Sequence, residues 1–449
     1  MNRKAWDVLL KIFLIANILL ILFFWFDGSG LNFSKGFGLS MIALGRLFGL
    51  SAVFLVLLQV LLIGRTRWIE QLFGLDKLSR WHHTTGLYAI ILIILHPVSL
   101  AIGYGIIGKI GFFPSFWSLV TGWSDTVKSL IAAIIFILII ILSIHISKKR
   151  MKYETWYYIH VLTYAAIILA FFHQLVDGGD FLSQNLGGAF RIYWIILYIF
   201  VALNILLFRF FRPIWNWVRH DFVIDRIESA SDSAVSVYIK GKNLEKFKVI
   251  PGQFMIWRFL QKGFWLEAHP FSLSGYNLEK DRYIRLTIKN LGDFTSKAGQ
   301  LKKGTKVLID GPHGIFTSRI ARHEKFLFIA GGVGITPIRA MLEELSLKEK
   351  DCILMYANNS RKDILFESEF EKMAKSHDHI KIYQVLSKER GWKGENGYVD
   401  KEKIQRLIKD ISHREIYVCG PPALMTSVLQ SLKELEVKDK QIHYEKFSL

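Results

Sequence analysis

The sequence is poor in cysteine and in acidic residues. Only two cysteines occur among 449 residues, Cys352 and Cys419, and both lie in the C-terminal half. A disulfide framework, a cysteine-ligated zinc site or an iron–sulfur cluster needs more thiolates than this. Two isolated cysteines are therefore typical of a chain in a reducing compartment.

Acidic residues number 38 against 57 basic ones, so the formal net charge is +19. Binding of nucleic acid would call for a basic patch on a soluble module. Here the basic residues flank apolar runs instead, as expected for loops on the cytoplasmic side of a membrane. Binding of nucleotide phosphates would account for further basic residues, and no nucleic-acid partner is expected.

Long apolar runs dominate the first 211 residues. Hydrophobic residues make up 51% of the chain, and the mean hydropathy is +0.29. A membrane-spanning helix needs about 20 apolar residues. The first run ends in the aromatics Phe23–Phe26 and precedes further runs, unlike a cleaved signal peptide. Six runs qualify as spans: about 7–26, 42–64, 82–106, 127–147, 157–176 and 191–211.

The loops between these runs differ in charge. The loop 65–80 carries four basic residues, and the loop 148–152 carries four more. The alternate loops, 27–41, 107–126 and 177–190, hold only scattered charges. Since basic loops stay on the cytoplasmic side, both termini are predicted to be cytoplasmic, in a multi-pass protein of the plasma membrane.

Histidines recur inside two of the predicted spans. The third span holds His82, His83 and His96, and the fifth holds His160 and His173. Polar residues inside a span are costly and usually functional. Fourteen residues of helix place His82 and His96 on one face, about 21 Å apart. Two such helices can hold two stacked haems between paired imidazoles, which makes a path for electrons across the membrane.

Several alternatives remain open for these histidines. His82 and His83 lie near the end of the apolar run, where interfacial histidines are common, and His83 rivals His82 as a ligand. Spacing of 13 residues leaves His160 and His173 about 140° out of phase, so the helix would need a bulge, a bend or divergent rotamers. Zinc fits poorly, since each pair is too widely separated to share one ion. Arg46 is either a partner for a haem propionate or an anionic acceptor, or a snorkelling arginine.

Short alternating strands begin at about residue 222 and predict a small antiparallel barrel. Within it, Phe271 can pack on a flavin ring and Ser272 can hydrogen-bond the ring edge. A second segment, which ends at Lys297, looks like the start of a helix, where free N–H groups and the Lys297 side chain can hold a pyrophosphate. The alternative is a plain turn capped by Asp293. The predicted FAD-binding residues are His269, Pro270, Phe271, Ser272, Leu273, Gly292, Asp293, Phe294, Thr295, Ser296 and Lys297.

Strands alternate with helices after about residue 321, which predicts a doubly wound parallel sheet. A glycine-rich turn follows the first strand, with Thr336 expected as the N-cap and Pro337 at the first helical position. Arg361 follows the second strand, where a 2′-phosphate would lie, and this favours NADPH over NADH. The predicted nucleotide-binding residues are Gly331, Gly332, Val333, Gly334, Ile335, Thr336, Pro337, Ser360, Arg361, Cys419, Gly420 and Pro421.

Taken in order, these motifs resemble the NADPH oxidase and ferric reductase flavocytochrome family, and prokaryotic NADPH oxidases most of all. The resemblance rests on the paired histidines, the stretch from Tyr153 to His160, and four short motifs. These are His-Pro-Phe-Ser, Leu-Gly-Asp-Phe-Thr, Gly-Gly-Val-Gly-Ile-Thr-Pro and Cys-Gly-Pro-Pro. The family implies a six-helix haem-binding bundle at 1–216, an FAD-binding barrel at 217–320 and an NAD(P)H-binding domain at 321–449, the last two forming a ferredoxin-NADP reductase-like dehydrogenase.

The resemblance also implies roles for particular residues. His82 and His160 would hold the inner of two b-type haems, and His96 and His173 the outer one. Phe447 would lie over the flavin, with Ser272 and Cys419 beside the reacting rings. Dioxygen, giving superoxide, would be the acceptor. The alternatives are a ferric chelate and a separate periplasmic enzyme that receives the electrons. The sequence has no EF-hand loop and no long regulatory tail, so activity without a regulatory subunit is expected.

Overall fold

The computed structural model describes residues 3–123, 125–147, 153–277 and 282–446. The chain divides into two compact units. The N-terminal unit comprises Met1–Leu72 and Lys77–Arg209, and the C-terminal unit comprises Phe73–Asp76 and Phe210–Leu449. The first is helical and the second is built mainly on β-sheets, so the change in structure follows the change from long apolar runs to short alternating segments.

The N-terminal unit confirms the predicted spans. Within the described ranges, six helical stretches are long and apolar enough to cross a membrane. Many of their large apolar side chains are exposed, as lipid-facing side chains would be. The helices of this unit are α1 (Arg3–Gly28), α2 (Phe37–Ile63), α3 (Arg67–Phe73), α4 (Leu75–Ile107), α5 (Phe112–Gly122), α6 (Thr126–Ser147), α7 (Tyr153–Val161), α8 (Thr163–Asp177) and α9 (Gly187–Ile205), with α3 and α4 contributing Phe73–Asp76 to the other unit.

Small residues let α2 and α4 approach closely. A Cβ atom at Gly103 would lie 2.6 Å from a side-chain carbon of Ile42, and one at Gly45 would lie 2.9 Å from Leu100. Elsewhere in the unit, aromatic rings fill the interior, and Phe24 stacks on Phe190 with ring centroids 4.7 Å apart. Close helix packing around small residues is the usual way in which membrane helices associate.

The fifth span is interrupted, which is one of the alternatives that its histidine spacing left open. α7 ends at Val161 and α8 begins at Thr163. The N–H of Leu162 bonds to the carbonyl of Ile159, three residues back, and the hydroxyl of Thr163 bonds to the carbonyl of His160. Such side-chain bonds to a preceding carbonyl bend helices. The break changes the angular relation of His160 and His173, which a regular helix would leave out of phase.

The first half of the C-terminal unit is the predicted antiparallel barrel. Its strand order is β1-β2-β5-β4-β3-β6. A bridge between Val223 and Lys306 joins the first strand to the last and closes the sheet on itself. α10 (Arg212–His220) precedes the barrel, and its strands are β1 (Val223–Ser231), β2 (Ala234–Lys240), β3 (Phe254–Phe259), β4 (His269–Asn277), β5 (Tyr283–Lys289) and β6 (Val307–His313), with the one-turn helix α11 (Asp293–Ser296) after β5.

The second half is the predicted doubly wound parallel sheet, of strand order β10-β9-β8-β7-β11-β12. The order reverses between β7 and β11, and ligands bind at such a switch point in open α/β sheets. Its elements are β7 (Lys325–Gly331), α12 (Ile335–Ser346), β8 (Asp351–Asn358), α13 (Glu367–Ser376), β9 (Ile380–Leu386), β10 (Glu395–Asn396), α14 (Lys401–Leu407), β11 (Arg414–Gly420), α15 (Pro422–Glu434) and β12 (Ile442–Lys446).

Candidate functional site

His96 lies on α4 with its ring turned towards α2. Its Nδ1 is 2.7 Å from the carbonyl oxygen of Gly45. Gly49, one turn further along α2, leaves room for the ring, because a Cβ atom there would lie 2.6 Å from His96 Nδ1. A carbonyl can only accept a hydrogen bond, so Nδ1 carries the proton of the neutral ring. Nε2 is left with its lone pair, as a metal ligand requires.

His82 is anchored in a similar way at the other end of α4. Its Nδ1 lies 3.3 Å from the carbonyl oxygen of Gln59 on α2, and the Gln59 side chain donates to Thr85. The His82 ring faces that of His160 across a centroid distance of 6.1 Å. His83 is exposed. Of the two candidates that the sequence left open, the structure pairs His82 with His160.

The 6.1 Å separation suits an ion held between the rings. A bond from an imidazole nitrogen to a first-row metal is about 2.0–2.1 Å, which places two rings on opposite sides of one ion with centroids about 6.3 Å apart. His160 also packs against Trp156, at a centroid distance of 4.9 Å. Among the described residues, the buried Nδ1 of His160 has no hydrogen-bond partner. Metal-binding imidazoles usually donate a hydrogen bond from the ring nitrogen that does not bind the metal, so His160 departs from that arrangement.

His173 and His96 line one cavity of about 250 Å³. The Nδ1 of His173 lies 3.0 Å from the carboxylate of Asp177, which also accepts the backbone N–H of Asp125. Like His96, His173 therefore has its Nδ1 engaged and its Nε2 available. Gln174 lines the same cavity and accepts hydrogen bonds from Trp194 and Tyr198.

Arg46 also lines this cavity, but its charge is already compensated. Its Nη1 donates to the hydroxyl of Ser29 at 2.9 Å and lies 3.5 Å from the carboxylate of Asp180. Ser29 in turn donates to Asp180, and both are buried. Arg46 is therefore part of a local ion pair beside the cavity, rather than an arginine snorkelling to the membrane surface.

Two histidine pairs are thus assembled, each between α4 and one segment of the interrupted fifth span. Three of the four imidazoles have Nδ1 engaged by an acceptor. The donor set fits haem iron bound by paired imidazoles. Across the described ranges, no group of three or more His, Cys, Asp or Glu side chains is placed to hold a metal ion.

The flavin motif forms the start of β4. Trp257 on β3 donates to the backbone carbonyl of Phe271 at 3.0 Å, which fixes that residue against the neighbouring strand. The ring of Phe271 is half-buried. The Ser272 hydroxyl is buried and has no hydrogen-bond partner within the described chain. Because buried hydroxyls are normally paired, this group fits a bound flavin that would supply the partner.

The remaining predicted flavin residues surround this strand. His269 stacks on Phe294 at 4.0 Å and bonds Glu267, while Pro270 is exposed and Leu273 is buried. α11 begins as the sequence predicts, and Gly292, Asp293, Ser296 and Lys297 are all exposed around it. Its N-cap is Gly292, and the hydroxyl of Thr295 in the first turn accepts the N–H groups of Leu291 and Gly292. Asp293, which would cap the alternative plain turn, is instead the first residue of α11.

The glycine turn lies at the switch point of the parallel sheet. Gly332 has φ +52°, and no atom lies within 4 Å of the position of a Cβ, so its backbone is open to a ligand. Gly334 packs against the backbone of Cys419, and Gly420 against the N–H of Gly331. Pro421 closes the same corner, 3.0 Å from the position of a Gly331 Cβ. The two predicted nucleotide motifs therefore meet.

One detail of this turn was wrong in the sequence prediction. A 3₁₀ turn, Gly332–Gly334, carries the chain into α12, which begins at Ile335. Thr336 is thus the second helical residue, and Pro337 the third. The Thr336 hydroxyl donates to the carbonyl of Val333 at 2.9 Å instead of capping a free N–H. The tight glycine turn therefore starts the helix two residues earlier than predicted.

Cys419 is fully buried beside this turn. Burial raises the pKa of its thiol well above the ordinary value, and the carboxylates of Glu445 and Asp76 raise it further. The thiol therefore stays protonated. The predicted flavin-covering residue Phe447 lies outside the described residues.

Arg361 and Ser360 follow β8 as predicted. The Arg361 guanidinium is 62% exposed and bonds Glu367 at 3.0 Å, and its backbone N–H bonds the carboxylate of Glu389. The Ser360 hydroxyl donates to Asp363. A phosphate on Arg361 would have to compete with Glu367.

Several residues at these sites carry no motif and were missed in the sequence. Gly45, Gln59 and Asp177 orient three of the imidazoles. Glu445 pairs with Cys419 across the sheet, and its carboxylate lies 3.6 Å from the position of a Gly314 Cβ. Gly49 is the one with a visible signal, since it lies four residues from Gly45, a glycine spacing typical of closely packed membrane helices.

Three family models match the chain in succession. A ferric reductase like transmembrane component matches residues 48–171, an FAD-binding domain matches 223–317, and an oxidoreductase NAD-binding domain matches 328–430. The matched ranges contain three of the four paired histidines (His82, His96 and His160), the β4 motif and the glycine turn, and His173 lies two residues beyond the first match.

Among curated proteins, similarity is confined to part of each chain. An uncharacterized oxidoreductase of Saccharomyces cerevisiae, AIM33, is 39% identical over 112 residues, which is 24% of this chain and 36% of the yeast protein. A component of the Na(+)-translocating NADH-quinone reductase of Yersinia pestis is 31% identical over 166 residues, which is 35% of this chain and 40% of that component. The chain thus spans well under half of either relative.

Similar solved structures include the flavohem-like FAD/NAD-binding domain of nitric oxide dioxygenase from Vibrio cholerae O1 biovar El Tor. It is 25% identical with a TM-score of 0.45, covering 50% of this chain and 97% of that one. Flavohemoglobin from Malassezia yamatoensis is 16% identical with a TM-score of 0.46, covering 90% and 99%. Both TM-scores lie below 0.5. In sequence, the chain is therefore similar to a ferric reductase like transmembrane component, followed by an FAD-binding domain and an oxidoreductase NAD-binding domain.

Proposed function

We propose that this protein moves electrons from cytoplasmic NADPH, through FAD and two b-type haems, to an acceptor on the far side of the plasma membrane. NADH is the alternative donor. Bound FAD would turn a two-electron hydride into single-electron steps, and the haems would pass single electrons onward. The chain itself would bind, orient and shield these groups.

The observation that carries the proposal is the pairing of imidazoles along the interrupted fifth span. His82 and His160 would hold one haem, and His96 and His173 the other. The 6.1 Å centroid distance of the first pair supports this, as does the cavity shared by the second. Ser272, the start of α11 and the glycine turn would hold FAD and the dinucleotide.

Dioxygen, giving superoxide, is the acceptor that we put first. Arg46 is a cation beside the proposed outer haem, and it lies 3.5 Å from the carboxylate of Asp180. An anionic chelate would therefore find little net attraction to this part of the chain, whereas a small neutral molecule needs none. A ferric chelate is the second candidate, because the transmembrane match is to a ferric reductase like component.

Spectra of the purified full chain in lipid nanodiscs test the haem assignment. We expect two haems per chain in the reduced-minus-oxidised absorbance of the wild type. His96→Ala should lose one haem, and the matched variant His83→Ala should keep both. Absence of haem bands from the wild type would refute the electron path. Loss of haem from His83→Ala instead of His82→Ala would reassign the inner ligand.

The acceptor is tested by supplying NADPH with either cytochrome c or ferric citrate. Cytochrome c reduction that superoxide dismutase abolishes would support dioxygen. Reduction of ferric citrate under nitrogen at a higher rate would support the chelate instead. The same assay, run without other proteins, tests the expectation that no regulatory subunit is needed.

Orientation can be tested with single cysteines, because both native cysteines are buried. Burial also raises the pKa of Cys352 to about 12. With cytoplasmic termini, an impermeant maleimide should label Lys35→Cys in intact cells but Tyr398→Cys only after lysis. Both positions are exposed. The reverse pattern would invert the proposed topology.

A further inference from the structure

A cluster of four charged residues joins the barrel to the parallel-sheet half of the C-terminal unit. Arg285 comes from β5, Arg339 and Glu343 from α12, and Glu369 from α13. We refer to these four residues as the charge clamp. Its two arginines are almost fully buried, at 4% and 6% exposure. Buried charges are costly unless they are paired and hydrogen-bonded.

Glu369 is the centre of the clamp. Arg285 holds it with two hydrogen bonds, of 2.8 and 3.1 Å, in the paired geometry that arginine forms with carboxylates. Arg339 Nε donates to it at 2.8 Å, and a second Arg339 nitrogen bonds Glu343 at 2.5 Å. Burial works against the charge of Glu369, but the two arginines outweigh it and hold the pKa of Glu369 below its ordinary value.

Both arginines also converge on the backbone of β4. Arg285 and Arg339 each donate to the carbonyl oxygen of Ser274 at 3.1 Å. Ser274 lies two residues after Ser272, in the strand that begins with the flavin motif. Arg339 lies in the first turns of α12, directly after the glycine turn. The clamp therefore ties the flavin strand to the nucleotide helix at one point.

The backbone at that point is shaped for the contact. Gly275 follows Ser274 at a register shift between β4 and β5. A Cβ atom at Gly275 would lie 2.6 Å from Arg339 Nη1 and 3.2 Å from Arg285 Nε. Any side chain at this position would push the guanidinium groups away from β4.

We propose that the charge clamp positions β4 against α12 for hydride transfer, with Glu369 as its central positioning residue. The inference rests on the proposed function, because it presumes FAD on β4 and NAD(P)H at α12. In that reaction the C4–H bond of the reduced nicotinamide breaks, and a hydride carrying two electrons and one proton moves to the flavin. Reacting atoms must come within about 3–3.5 Å, and a displacement of about 1 Å can cost about 100-fold in rate.

The chain offers a matched control for a purely stabilising ion pair. Arg414 is also buried, with two hydrogen bonds to Asp351 of 2.9 and 3.0 Å and two to Asp410 of 2.6 and 3.1 Å. The Asp410 side chain is 31% exposed and that of Glu369 is 33% exposed. All three residues of the control lie within the parallel-sheet half, and their hydrogen bonds to one another tie parts of that half together.

The test compares Glu369→Gln with Asp410→Asn in the full-length protein loaded with FAD. We expect both to lower the unfolding temperature. Flavin reduction by NAD(P)H, followed anaerobically by stopped flow, should slow at least tenfold in Glu369→Gln and stay within twofold in Asp410→Asn, with KM for the dinucleotide little changed. Amide hydrogen exchange of Leu273–Asn277 should quicken only in Glu369→Gln.

Gly275→Ala provides a second variant that keeps every charge, should Glu369→Gln fail to fold. It should slow flavin reduction in the same way. Full-rate reduction in a folded, FAD-loaded Gly275→Ala or Glu369→Gln would overturn the proposal, and so would equal slowing by Asp410→Asn. Because flavin reduction is read without the haems, absence of haem would refute the proposed electron path and leave this test intact.

Discussion

His96 on α4 and Gly45 on α2 are 51 positions apart in sequence, yet His96 Nδ1 lies 2.7 Å from the Gly45 carbonyl oxygen. This bond fixes both the tautomer and the direction of the ring. Nε2 is thereby presented towards the cavity that His173 lines from α8. Replacing a residue that orients a metal ligand in this way typically lowers the metal affinity about 10- to 100-fold.

Gly49→Ala tests whether the space beside His96 is needed. A methyl group there would lie 2.6 Å from Nδ1, closer than real contacts allow, so the ring or the helix must move. We expect a lower content of the outer haem, measured by pyridine haemochrome absorbance per chain. Gly188→Ala is the control, since nothing lies within 4 Å of the corresponding position on α9. Equal haem contents in the two variants would contradict this account.

Ser272→Ala tests the flavin site. The buried hydroxyl has no partner in the described chain, so bound FAD is expected to supply one. Its loss should weaken FAD binding by about 1 kcal/mol, or about fivefold in Kd. Fluorescence titration of the apoprotein with FAD measures this. Ser346→Ala is the control, because that buried hydroxyl already bonds the carbonyl of Glu343. An unchanged Kd in Ser272→Ala would place the flavin elsewhere.

Arg361→Ala tests the preference for NADPH. If the guanidinium leaves Glu367 to bind the 2′-phosphate, its loss should lower kcat/KM for NADPH about tenfold, the value of one charged hydrogen bond, and leave that for NADH within about twofold. Steady-state assays with both donors measure the ratio. Arg406→Ala removes a similarly exposed arginine, paired with Glu395, and should change neither value. Parallel losses with both donors would argue against a 2′-phosphate site.

Glu415→Gln tests a pH-dependent contribution to stability. Burial opposes ionisation of Glu415, but hydrogen bonds from His443 and His323 outweigh it and leave its pKa below the ordinary value. A lowered folded-state pKa gives stability that is complete above the unfolded-state pKa of about 4.3 and is lost as pH falls through the folded-state pKa. We therefore expect Glu415→Gln to lower the unfolding temperature at pH 7, and the difference to shrink below about pH 4. A difference independent of pH would disprove the ionic origin.

Much of the architecture could be predicted because local patterns carried it. Apolar runs of about 20 residues gave the six spans, alternating strands gave the barrel, and strand–helix alternation gave the parallel sheet. The glycine turn and Cys419-Gly420 were recognised separately, and the structure brings them together at the switch point. The first residue of a helix was harder to predict, since Thr336 is the second helical residue of α12 and not its N-cap.

The fifth span shows how much helical periodicity alone can predict. The 13-residue spacing of His160 and His173 called for a bulge, a bend or divergent rotamers, and the sequence could not choose among them. The structure has a break at Leu162, where a bond to the third residue back replaces the regular helical bond. Because helical geometry is local, the out-of-phase spacing of His160 and His173 was visible in the sequence. The form that the break takes depends on what α8 packs against.

Hydropathy and helical spacing are properties of neighbouring residues, so the order of amino acids was enough to establish the two environments, the number of spans and the candidate histidines. Packing was needed to establish that His82 rather than His83 faces His160 and that Asp180 pairs with Arg46. It was also needed to establish that Arg285 and Arg339 both bind Glu369 and the carbonyl of Ser274. These relations join residues far apart in the chain. Side-chain contacts of that range depend on how helices and sheets pack, and no local pattern records them.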